Sequence, residues 1–154
     1  MADYYADSSV LVKRHVNEIG SGWFRALADS ATGNVIITSR VSIIEVYGAF
    51  NRRAREARLS PLDYAQLAAD FSSIYGVEYQ IIELTVAVAD RAREILEHHA
   101  LRSYDSIQLA SALITSDALQ AAGLSAPIFL AADERLLNAA RTEGLATDNP
   151  NIHP

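Results

Sequence analysis

Cysteine is absent from the 154 residues, so the chain has no disulfide and no thiolate to hold zinc or an iron–sulfur cluster. Any metal must be bound through oxygen or imidazole. Long apolar runs are missing too: none approaches the roughly 18–20 residues that span a bilayer, and Met1-Ala2-Asp3 lacks the basic and apolar regions of a signal peptide. No membrane association is expected, and a cytoplasmic location is. There is no G-x-S-x-G nucleophile motif. Gly20-Ser21-Gly22 lacks the further glycine and the lysine of a phosphate-binding loop. The four histidines form no ligand set: His98 and His99 are adjacent on a predicted helix and point about 100° apart, and all four are expected at the surface.

Half of the residues are apolar and 21% are charged, which suits one compact domain, expected over residues 1–148 with a frayed tail at 149–154. The net charge of −6 argues against a polyanionic partner, but its distribution is uneven. Arg40, Arg52, Arg53, Arg55 and Arg58 face only Glu45 and Glu56 in the same stretch, and Lys13-Arg14 form a second basic pair. Twelve of the thirteen basic residues are arginine, which forks onto phosphate oxygens.

Hydrophobic periodicity and chain breakers predict alternating strands and helices. Strands are predicted at Asp3–Ala6, Val35–Thr38, Tyr79–Leu84 and Ile128–Ala131, with Leu145–Thr147 as an edge strand. Helices are predicted near Ser9–His15, through Trp23 and Leu27, over Val41–Ala57, after Ser60-Pro61, after Thr85, over Ser103–Ala122 and from Leu136 to Gly144. That order implies an α/β fold whose central, mostly parallel sheet is covered on both faces. Ligands in such folds bind at the carboxyl ends of strands.

Four acids occupy apolar junctions. Asp7 follows the first strand, Glu45 lies a turn or two inside an apolar helix, Asp105 opens the long helix and Asp133 follows Ile128–Ala131. Each aspartate has an ordinary use at a helix start, and Asp105-x-x-Gln108 has capping-box spacing. Helix capping does not account for Glu45. Burying a carboxylate costs several kcal/mol unless a cation compensates it, so four together point to a shared hard divalent ion, Mg²⁺ or Mn²⁺.

The segments Tyr5-Ala6-Asp7-Ser8-Ser9-Val10-Leu11-Val12-Lys13, Ser42-Ile43-Ile44-Glu45-Val46, Ser103-Tyr104-Asp105-Ser106-Ile107-Gln108-Leu109-Ala110 and Ala132-Asp133-Glu134-Arg135-Leu136 resemble PIN-domain ribonucleases, particularly VapC-type toxins. The resemblance spans nearly the whole chain. It implies a three-layer α/β/α PIN-like fold, a Mg²⁺- or Mn²⁺-dependent endoribonuclease acting on cellular RNA such as tRNA or rRNA, a VapB-like antitoxin and a homodimer. It makes Asp7, Glu45, Asp105 and Asp133 the acidic site, Asp7 and Asp105 direct metal ligands, and Ser9 a hydroxyl that orients Asp7 or a metal-bound water. Lys13, Arg14, Arg40, Arg52, Arg53 and Arg102 are the candidate RNA contacts. Ala131 departs from the pattern, because many relatives carry Thr or Ser two residues before the fourth acid. Two other readings stay open at this point: a catalytically silent PIN-like scaffold for RNA or protein, and a metal-dependent nuclease acting on DNA or on a particular nucleic-acid structure.

Overall fold

The computed structural model describes residues 1–154. Five strands, β1 (Asp3–Ala6), β2 (Val35–Ser39), β3 (Tyr79–Ile82), β4 (Ile128–Leu130) and β5 (Thr147–Asp148), form one sheet in the order β3-β2-β1-β4-β5. All four pairings are parallel, with Tyr5 beside Ile37 on one side and Phe129 on the other. Parallel strands need crossovers, and the helices supply them.

Residues alternate between faces along each strand. Tyr5, Ile37 and Phe129 point to one side, where α5 (Val86–His98), α6 (Ser103–Ala121) and α7 (Glu134–Thr142) contribute Val88, Ile95, Leu109, Leu113, Leu136 and Leu137. Ala6, Ile36 and Leu130 point to the other. There α1 (Ser8–His15), α2 (Ser21–Leu27), α3 (Ser42–Arg55) and α4 (Pro61–Glu78) add Val10, Leu11, Phe24, Val46, Phe50 and Phe71. The fold is therefore three-layered, with an apolar core on each face of the sheet.

Local chemistry sets the helix starts. Asp7 caps α1 by accepting from Val10 N–H, Ser60 caps α4 ahead of Pro61, Thr85 caps α5, and Asp133 caps α7. Two expectations need correction. Residues 149–154 are not frayed: Pro150–Ile152 form a 3₁₀ turn, Asn149 is buried and donates to Glu134 (3.0 Å), and the His153 ring stacks on Trp23 at 4.3 Å. His15 is not at the surface. It packs edge-on against Phe50 and Phe71, and its Nε2 is buried without a partner.

The sheet order reverses at β1, because β2 and β3 add on one side and β4 and β5 on the other. The crevice between the carboxyl ends of β1 and β4 is thus the topological switch point, where ligands bind in this architecture.

Candidate active site

Asp7 and Asp133 flank that crevice. Asp7 immediately follows β1 and is only 4% exposed, while Asp133 lies three residues beyond β4 and is exposed. Ser9 ties the two strand ends together: its hydroxyl donates to Asp7 Oδ1 (2.5 Å) and accepts from Ala132 N–H (3.0 Å). A supporting hydroxyl therefore does reach the fourth acid's loop, from Ser9 rather than from position 131.

Glu45 and Asp105 arrive from the two helical layers. The helix α3 starts at Ser42, so Glu45 lies in its first turn and not deeper, a position that the helix dipole favours for an acid. Asp105 lies in the first turn of α6, but no capping box forms there. Arg102 occupies the cap position without a side-chain bond, and Gln108 turns inward to donate to Glu45 Oε1 at 2.8 Å.

The acids act on one another through their charges. Burial pushes the Asp7 carboxyl up to about 7, and the charges of Glu45 and Asp105 push in the same direction against the opposing bonds from Ser9 and Val10. Glu45 is raised by burial and by Asp105, against the hydrogen bond from Gln108. Asp105 is raised by burial and by Asp133, with Arg102 and Arg135 opposing. Asp7, Glu45 and Asp105 thus each feel at least one other acid.

No three acidic or histidine side chains are close enough to hold a metal as a ready-made cage. The donor set still fits a hard divalent ion, because Mg²⁺ keeps several waters and takes only one or two carboxylates directly. Asp7 is the buried carboxylate in most need of a cation, and Glu45 and Asp105 are both half-buried.

The structure divides the six basic candidates. Arg40 follows β2 at the carboxyl edge and chelates Glu83, its Nε lying 3.0 and 3.1 Å from the two carboxylate oxygens. Arg102 is exposed beside Asp105. The other four lie toward the far ends of α1 and α3. Lys13 is buried, about 9 Å along α1 from Asp7, donating to Glu18 (3.1 Å) and Ile19 O (2.7 Å). Arg14 pairs with Glu78 and Tyr79 at the amino end of β3, and Arg53 pairs with Glu18. Arg52 is exposed about 15 Å along α3 from its start. Of the six, only Arg40 and Arg102 lie at the carboxyl edge of the sheet, whereas Lys13, Arg14, Arg52 and Arg53 lie away from Asp7 and Asp105. Sequence reasoning missed Gln108 and Arg135. The first was legible as a polar residue inside the apolar run Ile107-Gln108-Leu109-Ala110.

The family model described as PIN domain matches residues 4–142. A protein from Mycobacterium tuberculosis named Ribonuclease VapC45 is 30% identical over 150 residues, covering 97% of each chain. Among solved structures, the M. tuberculosis toxin VapC20, titled a sarcin-ricin loop cleaving toxin, superposes with a TM-score of 0.60 at 18% identity, covering 88% of this chain and 94% of the other. A toxin-antitoxin complex from Klebsiella pneumoniae gives 0.55 at 16% identity, over 96% and 97%.

Proposed function

The chain belongs to the PIN domain family, and from that premise we propose that it is a VapC-type toxin, a divalent-metal-dependent endoribonuclease restrained by a VapB-like antitoxin. The observation that supports the proposal is that Asp7 and Asp133 follow the two strands at the switch point while Glu45 and Asp105 open helices from the two layers, with the charges of Glu45 and Asp105 acting on Asp7 and that of Asp133 on Asp105. The relative named a ribonuclease covers nearly the whole chain, and a neighbour solved as a toxin-antitoxin complex supports the antitoxin partner. A homodimer rests on family resemblance alone.

Asp7 and Asp105 would hold Mg²⁺ or Mn²⁺. When bound, the ion supplies an acidified water and charge stabilisation for phosphodiester hydrolysis. Ser9 holds the Asp7 carboxylate in one orientation and anchors the Ala132 backbone. Glu45, placed by Gln108, and Asp133, capping α7, complete the acidic rim that orients water toward the scissile phosphate. Arg102 and Arg135 temper the negative potential at Asp105 where the RNA backbone must approach. The substrate class is structured or single-stranded cellular RNA, with tRNA and rRNA the foremost candidates.

Induced expression in bacterial cells lacking the antitoxin tests the toxin role. Growth arrest with discrete RNA fragments is expected, and Asp7→Asn or Asp105→Asn at equal protein level should abolish both. Arrest that survives both substitutions, or normal growth with intact RNA, would contradict it.

A further inference from the structure

Behind Glu45, four fully buried polar side chains form a hydrogen-bonded chain whose donor directions are all determined. Thr38 Oγ1 lies 2.7 Å from Ala6 O, a carbonyl that can only accept, so the single threonine proton is spent there. In the 2.7 Å contact between Thr38 and Ser42 the proton must therefore come from Ser42. The Ser42 oxygen is then left to accept, which it does from Gln108 Nε2 at 2.9 Å. On the other side Tyr5 O–H donates to Gln108 Oε1 at 2.7 Å. The remaining Gln108 N–H donates to Glu45 Oε1 at 2.8 Å.

The Gln108 amide is thus held in one of its two orientations from both ends. A flipped amide would set its oxygen against the Glu45 carboxylate and against a serine with no proton to give, and would leave the buried Tyr5 O–H without its acceptor. Tyr5, Thr38, Ser42 and Gln108 are all at most 1% exposed, so no water repairs such a mismatch. They come from β1, β2, α3 and α6, and they converge on one carboxylate oxygen.

We infer that Gln108 is a positioning residue: its amide, locked by Tyr5 and by the Thr38–Ser42 pair, fixes the rotamer of Glu45 and turns the second carboxylate oxygen toward the metal site. The choice of an amide follows from charge. A lysine or arginine at this place would orient Glu45 equally well but would neutralise it and compete with a divalent cation, whereas an amide directs the carboxylate and leaves its charge intact. The inference rests on the metal-dependent nuclease proposal.

Calorimetric titration of Mn²⁺ into the purified full chain tests it without measuring cleavage, on the unaltered protein and on Gln108→Met, Tyr5→Phe, Glu45→Gln, Asp105→Asn and the Glu45→Gln/Gln108→Met pair. Loss of a residue that orients a direct metal ligand weakens binding about 10- to 100-fold; Glu45 faces the ion beside the two ligands Asp7 and Asp105, so Gln108→Met is expected to weaken binding by no more than about 10-fold. Tyr5→Phe, which removes one of the two holds on the amide and leaves that of Ser42 and Glu45, should give a smaller loss in the same direction. In the Glu45→Gln background Gln108→Met should change nothing further, because it acts through Glu45. Equal losses with and without Glu45 would overturn the inference, since they would mark a packing effect. Unchanged affinity in folded Gln108→Met would do the same. Should Gln108→Met fail to fold, unchanged affinity in Tyr5→Phe would overturn it. An unaltered chain that binds no Mn²⁺, indistinguishable from Asp105→Asn, would remove the metal proposal itself and this inference with it.

Discussion

In the proposed site Asp7 serves folding as well as chemistry. It caps α1 through Val10 N–H at 3.2 Å, yet its burial pushes its pKa up to about 7 from 3.8. A carboxyl group raised in the folded state favours folding while protonated. Its contribution is complete below pH 3.8 and is lost as pH rises to about 7, a change on the order of 4 kcal/mol. In the metal-free protein Asp7 therefore contributes a loss of stability across that window, and Asp7→Asn should remove that contribution. His15 works in the opposite sense. Burial, with Arg14 adding to it, pushes its pKa down to about 4 from 6.5, so its contribution is lost as pH falls through that interval. Urea unfolding of both proteins at each pH isolates Asp7 as their difference. A parallel pH dependence in the two would contradict the assignment. Divalent-ion affinity of the unaltered chain should rise through the same window, because the ligand must be deprotonated.

At the scale of elements, most of the fold was legible in the sequence, since strands and helices declare themselves through apolar period and capping residues such as Ser60 and Thr85. What was not legible depends on contacts between distant segments. Gln108 has capping-box spacing from Asp105, but burial on α6 turns it toward Tyr5 and Glu45. Lys13 looks like a free cation until Glu18 and the Ile19 carbonyl close over it. The last six residues look like a tail because their partners, Trp23, Glu134 and Gly20, are remote in sequence. Gly20 is needed there for two reasons: its φ is +80°, and a Cβ would meet the Pro150 oxygen at 2.3 Å. Gly20→Ala is accordingly expected to cost roughly 1–3 kcal/mol in urea unfolding and to release Trp23 fluorescence from its stacked environment. Unchanged stability would show that the C-terminal turn is dispensable. In the α-helical layer below, Phe71→Ala is expected to cost about 3–5 kcal/mol, because the ring is fully buried among Phe50, Tyr47, Tyr75 and His15.

For the whole molecule, a net charge of −6 and an acidic crevice are an unfavourable surface for RNA unless cations bridge the two. In the proposed site the acids lie where the sheet reverses order, with Arg102 and the Glu83-paired Arg40 at the same edge and the other candidate cations in ion pairs or distant along α3. RNA engagement should therefore depend on the divalent ion more than on salt. The most direct measurement is cleavage of total cellular RNA by the purified, antitoxin-free protein in Mg²⁺, in Mn²⁺ and in excess EDTA, beside folded Asp7→Asn and Asp105→Asn variants and matched single- and double-stranded DNA. Discrete RNA fragments that vanish with the chelator and in both variants, with the DNA left whole, are the expected result. RNA left intact in both metals, or fragments that persist without metal or without either aspartate, would contradict a metal-dependent ribonuclease built on these acids.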